Sequence, residues 1–340
     1  MAQTSSVSIA NIAEISNLRE AALRAARGVR TRPAVKRFFS DLDHELTSLR
    51  REIMAGTVEV GRSTEFMVFD PKPRRVLAPV FRERVLHHAI MAHVGPVLER
   101  TLVWDTFACR IGKGTVAAVL RAQHHSRRFP WFGQIDVRSY FASISHDLLM
   151  GHLERRFRNA ELRRLLQKIL EAHEDSPGRG LPIGSLCSQH LANFYLTRWD
   201  RAVLERSPAR AMVRYMDDLV LWANSRADVV EALRVAEKVV VQELALQLRE
   251  APTINRVEHG LSFCGFRIYP GVLRALPRRK KRYVQSRRKW ERKYVAGDIT
   301  ADKLQRGYDA AAGILAHVDS LAWRRRQLEI TPPPDGCDES

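Results

Sequence analysis

Cysteine is scarce in this chain. Its 340 residues hold four, Cys109, Cys187, Cys264 and Cys337, and no two of them form a CxxC pair. That spacing argues against both a structural zinc site and a disulfide framework, and it suits a reducing cytosol. No apolar run approaches the roughly 20 residues that span a bilayer, so no membrane partner is expected. The opening "MAQTSSVSIANIAEISNL" has neither a basic start nor a compact apolar block, and it does not read as a signal peptide. Acidic charge is also short. Against 56 Lys and Arg stand 38 Asp and Glu, leaving a net charge of +18. Such an excess points to a polyanion partner, nucleic acid before any other. A hydrophobic content of 45% is that of an ordinary globular protein with one large core or two to three smaller ones.

Residues 12–57 read as helices. "AVKRFFSDLDHELTSLRREIMAG" repeats Phe38, Leu42, Leu46, Leu49 and Ile53 at helical period before Gly56 closes it. From 58 the pattern turns to strand-like runs broken at "DPKP", a turn carrying basic residues. "RERVLHHAIMAHVGPVLER" returns to helical spacing. "RIGKGT" is a basic glycine loop and not a P-loop, because the first glycine of that motif would fall at Phe107. "FGQIDVRSYFASIS" reads as a strand running into a turn or helix, and two helices and the loop "SPGRGLPIG" follow. "SLCSQHLANFYLTRWDRAVLER" reads as one helix capped by Ser185. A hairpin at "AMVRYMDDLVLWA", a helix over 227–247 and strand-like "LSFCGFRIYP" come next. Between Arg274 and Lys293 stand eleven basic residues and one acid, Glu291. Phosphate contact is the favoured reading of that run. Tyr283, Trp290 and Tyr294 share one face of the same helix, where they either meet the ligand or dock on the rest of the protein.

The hairpin poses the sharpest question. Asp217 and Asp218 sit side by side between two apolar strands. An aspartate pair is ordinary at a surface turn, but these flanks are those of buried strands. Buried like charges need a cation, and hard oxygen ligands suit Mg²⁺. Asp136, at the end of an apolar strand, is the best further carboxylate. Such a set, with a basic surface and mixed strands and helices, points to in-line phosphoryl transfer at two metals.

"YMDD" inside an apolar hairpin resembles the metal-binding box of reverse transcriptases. The likeness extends, in family order, through "KPRRVLAPVFRERVLHHAI", "FACRIGKGTVAAV", "QIDVRSYFASI", "GLPIGSLCSQHLANFYL" and "LSFCGFRIYP", and on to "GILAHVDSLAW". The resemblance implies an α+β right-hand polymerase fold. Residues 58–270 would be fingers and palm and 271–328 a basic helical thumb, with a helical extension at 1–57 and a disordered tail at 329–340. It implies that Asp136 and Asp217 hold two Mg²⁺ ions, for which Mn²⁺ can substitute, with the Val137 carbonyl facing one and Asp218 in support. Phe141 would lie under the incoming sugar as a gate against a 2′-hydroxyl, or would be a plain core aromatic. Lys72, Arg74 and Arg75 would reach the deoxynucleoside triphosphate. Arg110, Lys113, Gly265, Arg278, Arg279, Lys280, Lys281, Arg287 and Arg288 would contact template RNA and the RNA/DNA duplex.

The box before YMDD narrows the likeness. Ile183-Gly184-Ser185-Leu186-Cys187-Ser188-Gln189 is similar to the form found in diversity-generating retroelements, which copy a template RNA with frequent errors at adenine. Ile183 and Gln189 are then nucleotide-pocket residues, and a small helical accessory protein is an expected partner. A phage-defence reverse transcriptase and a palm-fold RNA-binding protein without catalysis are the alternatives. Two departures stand out. Cys264 replaces the larger middle residue of the primer-grip motif. The lysine often found after the catalytic hairpin is missing; the nearest cation is Arg249, and a guanidinium, which holds its proton, is a poor proton donor. The histidine pairs 87–88 and 124–125 read as core or helix-surface residues rather than nuclease ligands.

Overall fold

The computed structural model describes residues 4–69, 73–172 and 174–334. Lys72, the rest of the expected turn at 70–72, and Cys337 lie outside them. Four helices open the chain, α1 (Ile9–Ala13), α2 (Ile15–Ala25), α3 (Pro33–Ser40) and α4 (Leu42–Ala55). The last ends where expected, at Gly56 in the left-handed conformation, φ 72°. A hairpin follows, β1 (Ser63–Val68) with β2 (Arg74–Pro79), and then the long helix α5 (Phe81–Glu99).

The centre is a four-stranded antiparallel sheet. It contains β3 (Trp131–Asp136), β4 (Ala211–Tyr215), β5 (Asp218–Ala223) and β6 (Thr253–Arg256), in the order β4-β5-β3-β6. Its faces follow from the period of two along each strand. Ile135, Met212, Leu219 and Leu221 join the main core with α5 and the helices after β3. Phe132, Val213, Val220 and Trp222 join a second core on the other face, against α6 (Thr115–Arg128). Helix α12 (Arg226–Lys238) crosses the first face so closely that a Cβ at Gly133 would sit 2.9 Å from Leu233 and Val229. Glycine is the residue that admits this helix.

Between β3 and β4 run α7 (Tyr140–Ser143), α8 (His146–Glu154), α9 (Ala160–Glu171), α10 (Leu186–Tyr195) and α11 (Thr197–Glu205). The single helix expected over 185–206 is two. The chain breaks at Leu196, φ −83° and ψ 2°, where the Thr197 hydroxyl bonds back to the Phe194 carbonyl at 2.7 Å. Ser185 stands at the N-cap of α10, but its hydroxyl lies 3.3 Å from His87 Nδ1 and makes no capping bond. The helix expected over 227–247 ends early, in a π-helical turn at Val239–Glu243, and β6 then completes the sheet. The four residues "TINR" are too short and polar to announce a strand.

A second sheet joins β7 (Leu261–Phe263), β8 (Phe266–Ile268) and β9 (Leu273–Ala275). Residue 271, expected as the start of a separate unit, thus falls inside this sheet. The chain then forms α13 (Pro277–Val295), α14 (Ala301–Gly313) and α15 (Leu321–Ile330), with a small core of Ala275, Tyr283, Ala311 and Leu315. Tyr283 packs edge-on to Trp323, and Trp290 lies over Gly307 of α14. Those two aromatics dock inside the helical unit. No helix among the described residues is long and apolar enough to cross a membrane.

Candidate active site

Antiparallel pairing brings the aspartates together. Asp136, last residue of β3, is the register partner of Asp218, first residue of β5. Tyr215 pairs Asp218 from the other side, so the turn is Met216–Asp217 alone. Met216 takes φ 57°, a left-handed conformation that costs a non-glycine residue about 1–2 kcal/mol. Beneath it Arg214, wholly buried, donates from Nη1 to the Met216 carbonyl at 2.7 Å and to Asn193 Oδ1 at 3.0 Å. Its other nitrogens grip Asp200 at 2.6 and 2.7 Å. The apolar strands therefore carry a polar post that shapes the turn.

The three carboxyls are electrostatically uncomfortable. Burial, and after it the charges of Asp136 and Asp217, push Asp218 up to about 7, against the bond donated by Gln134 Nε2 at 2.8 Å. Burial and the neighbouring Asp217 push Asp136 up to about 6, although Arg249 opposes them. Burial also raises Asp217, with Arg249 and Arg74 among the cations that resist. Val137 bridges to Leu248, but the bonds there are made by its neighbours: Arg249 N–H to the Asp136 carbonyl, 3.0 Å, and Arg138 N–H to the Gln247 carbonyl, 2.7 Å. In that pattern the carbonyl of Val137 itself points away from the 247–249 segment.

These donors fit a hard divalent cation. Three carboxylates and a backbone carbonyl are all oxygen ligands, and the burial that raises the three carboxyls makes their charged form the one a nearby cation would favour. Among the described residues no three such donors are yet gathered as around a bound ion. The cation at hand is Arg249, whose Nη1 bonds Asp136 Oδ2 and whose Nη2 lies 4.0 Å from Asp217 Oδ2.

The remaining expected residues divide. Arg74 bears on Asp217 electrostatically, whereas Arg75 pairs with Glu65 across the hairpin at 2.8 Å. Phe141 is half-buried, 5.7 Å from the Tyr140 ring, with its carbonyl holding the Leu181 amide at 2.9 Å. The Ile183 carbonyl accepts from the Leu77 amide at 2.8 Å, so its loop lies on β2. There Gly184 approaches so closely that a Cβ would come within 2.5 Å of the Leu77 carbonyl. Gln189 lines a cavity of about 200 Å³ with Arg84, His87 and His88. His87 and His125 are buried, as the core reading has it.

Several basic residues are engaged inside the protein. The side chain of Arg110 is only 8% exposed; it pairs with Glu99 at 2.7 Å and donates to the Val103 and Thr106 carbonyls. Lys113 sits 4.1 Å from the Trp104 ring centroid. Gly265, φ 82°, lies beside Arg279, whose guanidinium covers Phe266 at 3.8 Å, and Lys280 lies over Trp323. Arg287 is buried, paired with Glu291 at 3.0 Å and bonded to the Thr331 carbonyl at 2.7 Å. Arg278, Lys281 and Arg288 are exposed. Arg110 and Arg287 were expected at phosphates. Their side chains instead satisfy internal acceptors, because a buried guanidinium must be paired.

The sequence reading missed Gln134, Asn193, Asp200 and the post role of Arg214. Gln134 was findable, since it lies two residues before Asp136 and so on the same strand face. Asn193 and Asp200 reach Arg214 only through the tertiary fold.

Paired, partly buried aspartates at a sheet hairpin, in a chain of net charge +18, are an oxygen set of the kind that metal-dependent nucleotidyl transfer uses. A family profile for reverse transcriptase (RNA-dependent DNA polymerase) matches residues 71–253, more than half the chain, and takes in all three aspartates. The chain belongs to the reverse transcriptase family and is an RNA-directed DNA polymerase. It is similar to Protein YkfC of Escherichia coli K12, 26% identical over 328 residues, covering 83% of this chain and 80% of that one. It is also similar to the putative COX1/OXI3 intron 1 protein of Saccharomyces cerevisiae, 26% identical over 145 residues, covering 39% of this chain and 17% of the other.

Proposed function

We propose that this polymerase copies a template RNA into cDNA with frequent errors at adenine, as in a diversity-generating retroelement. The observation that supports the subtype is Ile183. Its loop rests on β2 through the Leu77 bond, and β2 carries Arg74, the cation that bears on Asp217. A residue there borders the nascent base pair in this reading. A side chain that hydrogen-bonds its ligand discriminates strongly, whereas an apolar wall discriminates by only about 1–3 kcal/mol.

In this reading residues 58–270 are fingers and palm, the helices after β9 are a thumb, and 1–57 are an extension. Asp136 and Asp217 would hold two Mg²⁺ ions, with Asp218 and the Val137 carbonyl completing the oxygen set. When bound, the ions supply positive charge at the attacking and leaving oxygens. Arg74 offsets charge on the triphosphate. Phe141 excludes a 2′-hydroxyl. Gln134 holds Asp218 in place, and the exposed cations of α13 track the duplex backbone. A small helical accessory protein is the proposed partner for recognising one RNA among many.

Single-nucleotide insertion opposite each template base tests the subtype. Ile183→Gln should lower misincorporation opposite adenine more than it lowers correct insertion. An unchanged error spectrum, with all insertions reduced equally, would make Ile183 a packing residue and remove the support for the subtype.

A further inference from the structure

Arg249 has no part in the mechanism above, yet it touches two of the three catalytic carboxyls. Its backbone is fixed. The Arg249 amide donates to the Asp136 carbonyl at 3.0 Å, and the Gln247 carbonyl accepts from Arg138 at 2.7 Å. The segment reaches this edge through the π-helical turn at Val239–Glu243 and through Ala245 at φ 50°, an irregular path that delivers one residue to one place. Its side chain is the more exposed part. It is 43% exposed, and the partners it has at the site are Asp136 and Asp217.

We propose that Arg249 is an internal counter-ion of the metal-free site, and that it makes metal loading depend on nucleotide; this rests on reading the aspartates as the metal ligands. The guanidinium fork spans Asp136 and Asp217, which a point-charge ammonium does less well. While it stays, a bare divalent ion must break a charge-assisted hydrogen bond and then sit beside a like charge. A triphosphate arriving with the ion changes that balance, because it offers the guanidinium another anion within reach. The side chain is exposed enough to swing toward a new anion, and the backbone pins keep it close enough to return. Because arginine stays charged at every working pH, the device responds to competing ions rather than to protons. A residue unable to donate the proton of the missing lysine can thus still govern when the site fills.

Calorimetric titration of Mg²⁺ into the full-length protein tests this, with and without a non-hydrolysable deoxynucleotide analogue. Wild type should bind the ion weakly alone and more tightly with the analogue. Arg249→Gln should bind it about tenfold more tightly alone, and the tightening by the analogue should shrink by the same factor. Arg249→Lys should fall between. Equal affinity and equal coupling in wild type and Arg249→Gln would overturn the proposal while leaving the metal site standing. Asp217→Asn separates the two ideas: if it binds the ion as wild type does, the metal assignment fails and the proposal falls with it. Should Arg249→Gln fail to fold, a wild-type structure with Mg²⁺ and the analogue decides. A guanidinium moved off Asp136 supports the proposal, and one still seated there overturns it.

Discussion

Arg214 supports the Met216–Asp217 turn from below by donating to the carbonyl of Met216, 2.7 Å away, from a position with no solvent exposure. The turn residue is left-handed without being glycine, so something must hold it. The same guanidinium is anchored on Asp200 with two bonds. One side chain thus ties the buried Asp200 to the shape of the aspartate turn.

Arg214→Met should destabilise the protein by about 3–5 kcal/mol, because it leaves Asp200 buried and unpaired. Adding Asp200→Leu should recover much of that loss, since an apolar pair replaces an ionic one. Primer extension by the double variant should nonetheless stay low, with the Met216 carbonyl unsupported. Urea melts and extension rates on the same samples check both halves. Full activity in the double variant would mean that the turn holds itself.

The acid side of the stability profile should carry the mark of His152. Burial, with Arg155 and Arg198 nearby, lowers its pKa from 6.5 to about 4. Between those values the unfolded chain takes up a proton that the folded chain refuses. The contribution of His152 is therefore full above about pH 6.5, falls as pH drops through the window and levels below about 4, while the raised Asp136 and Asp218 act with the opposite sign. The loss is at most about 3 kcal/mol. His88 is lowered to about 4 by burial in the same way. In melts from pH 7 to 4.5, His152→Gln should flatten the slope by roughly the share of one histidine. An unchanged slope would place the acid sensitivity elsewhere.

The basic helix should separate into two classes of cation. Arg287→Glu should loosen the C-terminal helical unit, because it meets Glu291 and abandons the Thr331 carbonyl. Lys281→Glu with Arg288→Glu should leave the fold intact and weaken RNA/DNA binding on any sequence. The slope of log affinity against log salt should become shallower by about 1–2. Thermal melts and binding at several salt concentrations distinguish the classes. An unchanged salt slope would take the exposed charges off the duplex.

What the sequence revealed follows from how local each signal is. The aspartate hairpin was legible because apolar strands on both sides of a two-residue turn are a short-range pattern, and so was Asp136 at a strand end. The aromatics of α13 were left open, since period alone cannot say whether a face meets a ligand or a neighbouring helix. Charge alone could not show how Arg110 and Arg287 are engaged, since composition shows a cation and only tertiary structure shows its internal acceptors. The break at Leu196 and the strand β6 were hidden for another reason. A hydroxyl bonding back to one carbonyl and a four-residue edge strand leave almost no imprint on periodicity.

We propose that Asp136, Asp217 and Asp218 form the nucleotidyl-transfer centre of this chain. Single-turnover incorporation of one deoxynucleotide on a primed RNA template, at saturating Mg²⁺ and nucleotide, tests it most directly. Asp217→Asn should abolish incorporation while binding the primed template about as well as wild type, since the basic surface is untouched. Retention of even a few per cent of the wild-type rate, with template binding intact, would contradict the assignment.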